Sequence, residues 1–223
     1  MDPTIDFLFR WGHFLAGVTW IGLLYYFNFV QGAYFKEADD SARVDAFTKL
    51  VPRALWWFRW GAMFTFITGC LLLGNRAGGG FGGYTQDIAL GALMGTLMFI
   101  NVWGIIWRNQ KIVIASNEQI KAGGEALASA AGAAGKALLA SRTNTLFSLP
   151  MLFFMGSSAH LPSGVTGGAG TGFWIALLII IVLEVNAIVG KQGPITTVSG
   201  VITSGFVLTA VLWGLLKLSL IHI

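Results

Sequence analysis

A few ionisable side chains interrupt otherwise apolar stretches of this sequence, and any chemistry must be built from them. Asp6, Arg10, His13, Gly17, Trp20, Leu24 and Asn28 recur at steps of three or four, so they form one stripe of a helix. His160 closes a second apolar stretch. Two neutral imidazoles on facing helices could ligate one haem b from both sides of the iron. Either could instead donate a hydrogen bond to a quinone or another substrate. Arg10 suits a haem propionate, because a guanidinium matches a carboxylate bidentately. It also stands four residues from Asp6 and can pair with it. The plainer alternatives are an interhelical hydrogen bond for His13 and an interfacial position for His160. His222 reads as a solvated chain end.

A second pair lies nearer the other side of the apolar layer. Arg59 is about 9 Å in from Arg53, and Glu184 about 10 Å in from Lys191, at 1.5 Å per residue. Their similar depth allows an intramembrane ion pair, which satisfies both charges structurally. The sharper alternative is a proton or anion site. Asn101, Asn144 and Asn186 read as hydrogen-bonding glue between helices.

The elements that must hold these residues follow from composition. Of 223 residues, 55% are hydrophobic and only 11% charged. Mean hydropathy is +0.71. This excludes a soluble globular domain, a disordered chain and a disulfide scaffold. It implies an all-α, polytopic membrane helix bundle. Six stretches can each cross roughly 30 Å of hydrocarbon. They run about 5–30, 53–74, 87–107, 143–160, 172–190 and 197–219, within one integral membrane domain covering 1–223. The first is long enough to tilt or protrude. Asp2 and Asp6 stand where a signal peptide would be basic, so no cleaved leader is expected.

The net charge of +4 belongs to topology rather than to a nucleic-acid partner. Lys36, Arg43 and Lys49 lie in the first connection, and Arg108, Lys111, Lys121, Lys136 and Arg142 in the third. Lys191 lies in the fifth, the second has only Arg76, and the fourth has no basic residue. The odd connections are therefore expected in the cytoplasm and both termini in the periplasm of a bacterial inner membrane. Trp56, Trp57, Trp60, Trp103, Trp107, Trp174 and Trp213 fall near span ends as interfacial anchors. GNRAGGGFGGYTQD (74–87) lacks a P-loop Lys-Ser/Thr and reads as an external loop. The Ala-rich 124–141 stretch is expected to extend span three or four as a helix. Gly91 and Gly95 suggest close helix packing. Cys70 reads as a small buried hydrophobe.

Three segments carry a resemblance: WGHFLAGVTWIGLLYYFNFVQ (11–31), VPRALWWFRWGAMFTFITG (51–69) and SRTNTLFSLPMLFFMGSSAH (141–160). Together they resemble the N-terminal membrane domain of the bacterial membrane-bound urate oxidase (urate hydroxylase) family. The resemblance implies a multi-span bundle in the inner membrane. It also implies a redox role, coupled in typical members to a C-terminal periplasmic cytochrome c domain. This sequence contains no C-x-x-C-H, so the electron acceptor is expected to be a separate protein. His13 followed by Trp20, Ile21 and Gly22 also resembles the first helix of HemJ-type protoporphyrinogen oxidases and copper-resistance D membrane proteins. The Arg59-then-Gly69 layout is similar as well. In the HemJ type, the resemblance implies that the first-helix histidine bears on haem. Span three here has no histidine.

The leading expectation is a haem b-binding electron-transfer or oxidoreductase component working with a periplasmic cytochrome c or quinone. If it is an enzyme, it is a membrane-bound oxidoreductase. The alternative is a non-catalytic accessory subunit of a larger respiratory or energy-transducing complex, packed on other membrane subunits. A transporter ranks third, because no internal repeat or matched pair of broken helices is visible.

Overall fold

The structure is a computed structural model that describes residues 2–77, 83–164 and 168–221. Its described residues form six long helices. These are α1 (Pro3–Glu37), α2 (Asp40–Ala77), α3 (Gln86–Lys121), α4 (Ala130–His160), α5 (Thr171–Val189) and α6 (Val198–Ile221). Four expected spans fall inside one of them, and the other two overrun theirs by one residue, at 190 and at 197. The Ala-rich stretch extends the fourth span, since α4 starts at Ala130. Asp2 caps α1 by accepting from the Thr4 N–H at 2.8 Å, with Pro3 at the first helical position. That N–H holds the Asp2 carboxyl below its usual range.

Five of the helices are long and apolar enough to cross a membrane. The remaining one, α4, is about 46 Å long at 1.5 Å per residue. It is less apolar because it is the central helix. It packs on α3, α6, α5 and the basic half of α1, so its Thr143, Asn144, Thr145 and Ser148 meet protein rather than lipid. The outer helices show the reverse pattern. Phe14 is 72% exposed and Val189 78% exposed, as expected for lipid-facing positions.

Two close approaches set the packing. A Cβ on Gly61 would lie 3.1 Å from the Trp20 backbone nitrogen, so α1 and α2 cross there at backbone range. A Cβ on Gly91 would lie 3.3 Å from the Met155 nitrogen, which bears out the small-residue motif at the α3–α4 contact. Phe66 stacks on Phe99 with centroids 4.2 Å apart, joining α2 to α3.

Two helices contain a π-helical turn, Tyr26–Gln31 in α1 and Asn101–Ile106 in α3. Such turns insert one residue and rotate everything beyond them. Both lie in the half of the bundle that ends in the basic connections, here the basic end. The opposite half ends in the glycine-rich connections and is here the glycine end.

Candidate functional site

His13 is half-buried on α1 against α2. Its Nδ1 lies 3.0 Å from the Thr68 hydroxyl. That hydroxyl donates its single hydrogen to the backbone, with the Phe64 carbonyl at 2.6 Å and the Thr65 carbonyl at 3.1 Å. With the Thr68 hydrogen directed to the backbone, the contact favours a proton on His13 Nδ1 and a lone pair on Nε2. Gly69 makes the fit possible, since a Cβ there would lie 3.3 Å from the His13 Cε1. One turn along the stripe, a Cβ on Gly17 would meet nothing within 4 Å. One turn the other way, Arg10 Nε donates to Asp6 at 2.5 Å, and Asn75 donates to the same carboxylate at 2.7 Å.

His160 is exposed at the end of α4. Tyr25 and Ser148 hydrogen-bond at 2.9 Å, which fixes the antiparallel register of α1 and α4. His13 and His160 each lie twelve residues from that contact toward the glycine end, at matching depth. Among the described residues no hydrogen bond joins them, because His13 turns toward α2. No group of three or more His, Cys, Asp or Glu among the described residues could hold a metal ion. His222 lies outside the described residues.

Among the described residues no ion pair joins Arg59 to Glu184. Their helices meet through α3 rather than packing mainly on each other: α2 packs mainly on α1 and α3, and α5 mainly on α6 and α4. Arg59 instead places its Cζ 3.3 Å from the centroid of the Trp107 ring and 5.7 Å from that of Trp103. Glu184 accepts from Asn101 Nδ2 at 3.1 Å. The same amide donates to Asn144 Oδ1 at 2.9 Å, and Asn144 donates to the Met98 carbonyl at 2.9 Å. One amide at the start of a π-helical turn thus ties α3 to α4 and α5. No cation accompanies Glu184 among the described residues.

Several assignments change. Asn186 bonds Lys191 at the end of its own helix rather than another span. Cys70 is exposed rather than buried. Trp103 and Trp107, expected as interfacial anchors, hold Arg59. Arg142 is buried inside α4, not in a loop, and its Nε and Nη1 have no acceptor among the described residues. Asp87 was not singled out by the sequence. It is fully buried at the start of α3 and accepts from Ser157 Oγ at 2.7 Å, Ser163 N at 2.6 Å and Ser163 Oγ at 3.3 Å. The available signal was Thr85, whose hydroxyl caps the helix two residues earlier.

The description "Urate oxidase N-terminal" belongs to the family that matches residues 79–192, just over half of the chain. The chain belongs to the urate oxidase N-terminal family. No curated protein and no solved structure matches it. The part that matches this urate oxidase N-terminal family covers α3, α4 and α5, and so includes Asp87, Asn101, Asn144 and Glu184. His13 and Arg59, on α1 and α2, lie before it.

Proposed function

We propose that this urate oxidase family member is the membrane-embedded component of an oxidoreductase. It holds haem b through His13 and exchanges electrons with a separate periplasmic cytochrome c or with quinone. The observation that carries this reading is the contact of His13 Nδ1 with the Thr68 hydroxyl at 3.0 Å. With the ring held through Nδ1, Nε2 is the nitrogen that would ligate an iron. The residues present fit the group on that side: Gly69 lets the ring seat, and open space lies beside Gly17. His160, at matching depth on α4, would be the second residue to hold it. Arg10 is the partner for a propionate, while Asn75 keeps a hydrogen bond on Asp6.

Haem b supplies a one-electron iron couple when bound. The chain's own groups do the rest. Thr68 orients the imidazole, and the apolar faces of α1 and α2 limit water. Glu184 offers Oε2 to hold or release a proton, steadied by Asn101. With the basic connections on the cytoplasmic side, His13 and His160 lie toward the periplasm and Glu184 toward the cytoplasm of a bacterial inner membrane.

The test is a reduced-minus-oxidised visible spectrum of the full chain purified from haem-replete cells. A haem b signal of about one per chain is expected. A colourless preparation overturns the reading. Thr68→Val should keep the haem and shift its midpoint potential, because the ligand loses its orienting partner.

A further inference from the structure

Arg59 is a charged group that the proposed haem site leaves unused. It is only 9% exposed, and among the described residues no carboxylate pairs with it. Its Nε is buried without an acceptor. Its companions are π faces, with Trp107 at 3.3 Å and Trp103 at 5.7 Å from Cζ. A guanidinium so placed still lacks an anion, and it gains from binding one.

The direction in which it reaches is set by the helix. α2 starts at the basic end, and helical side chains lean toward the N-terminus of their own helix. Arg59 therefore leans toward the basic end of the bundle. The contacts agree, because Trp107 is the nearer ring and lies one turn closer to that end than Trp103. One turn further, Lys111 places its Nζ 5.7 Å from the centroid of the same Trp107 ring. Lys111 also has no carboxylate partner among the described residues. Trp107 is thus flanked by two cations and no anion.

The outside of this seam is aromatic. Trp56 and Trp60 on α2 are 48% and 37% exposed, and Trp60 meets Trp103 edge-on at 5.9 Å. Exposed indoles beside unpaired cations, at the end of the bundle richest in Lys and Arg, match what a lipid with an anionic headgroup requires. Its phosphate meets the cations and its chains lie along the indoles.

We propose that the α2–α3 seam at the basic end binds the phosphate of an anionic membrane lipid, with Arg59 and Lys111 as its cations and Trp107 as the platform between them. A free phosphate ion shares the charge chemistry but gains nothing from the exposed tryptophans, so the lipid is the favoured source. The inference does not depend on haem.

The test uses the full chain, delipidated in detergent. Phosphatidylglycerol, phosphatidylcholine and inorganic phosphate are added separately, with binding read by native mass spectrometry and melting temperature. One retained phosphatidylglycerol and a raised melting temperature are expected, with neither effect from phosphatidylcholine or inorganic phosphate. Arg59→Met should weaken phosphatidylglycerol binding about tenfold or more, and Lys111→Gln about fivefold. Lys111 is exposed, so that variant keeps the test informative if Arg59→Met does not fold. Unchanged affinity in a folded variant overturns the site. Equal binding of phosphatidylcholine overturns the need for an anion. Equal stabilisation by inorganic phosphate reassigns the site to a soluble ion and overturns the lipid.

Discussion

At the glycine end of the bundle, the carboxylates are paired. Asp87 takes hydrogen bonds from Ser157 and Ser163, and Asp6 takes them from Arg10 and Asn75. At the basic end, the buried charges have no counter-ion among the described residues. Arg59 rests on indole faces, Arg142 keeps two bare donors, and Glu184 meets the Asn101 amide. A buried charge with its full set of partners ties elements together and has little left to offer a ligand. A buried charge without them carries a desolvation penalty that a ligand can relieve. The first arrangement reads as structure and the second as a site. His13 stands between the two, half-buried with Nδ1 against the Thr68 hydroxyl.

The largest expected effect breaks the special status of His13. His13→Ala should abolish the haem b absorbance while the protein still folds, since His13 is only half-buried and its lost bonds lie on one side, toward α2. Retained absorbance would place the ligand elsewhere and return His13 to the structural class. Next comes the packing that the comparison assumes. Gly91→Leu should lower unfolding free energy by about 2 kcal/mol, because the new side chain must push against the Met155 backbone. Asn144→Ala should be milder, about 1 kcal/mol, as membrane-embedded hydrogen bonds average well under that each. Equilibrium unfolding in mixed micelles checks both. The smallest stability change is expected for Glu184→Gln, within about 0.5 kcal/mol, since its amide oxygen still accepts from Asn101. Its signature lies elsewhere: the slope of haem midpoint potential against pH should flatten. An unchanged slope would remove Glu184 from the proton role.

The helices were legible because the bilayer fixes how long an apolar run must be. The Asp6–Arg10 pair and the Gly91 contact were legible because both depend on spacing within one helix. Depth was legible too, and it put Arg59 level with Glu184. Azimuth was not. Whether two residues at one depth meet depends on which helices are neighbours, and α2 and α5 belong to different sides of the bundle. The π-helical turns were equally hidden, since no residue type announces them. They rotate Asn28, Gln31 and Asn101 into buried positions. Asp87 was missed because its partners, Ser157 and Ser163, are some seventy residues away and its position looked like a boundary.

The division between satisfied and unsatisfied charges is tested most directly by removing one of each. Unfolding free energies of Asp87→Ala and Arg59→Met should be measured side by side in mixed micelles without anionic lipid. Asp87→Ala should lose about 3 kcal/mol, because it strands a buried N–H and a buried hydroxyl. Arg59→Met should stay within about 1 kcal/mol of the unsubstituted chain or exceed it, because it removes a buried charge that lacks a partner. Equal losses at the two positions would contradict the account.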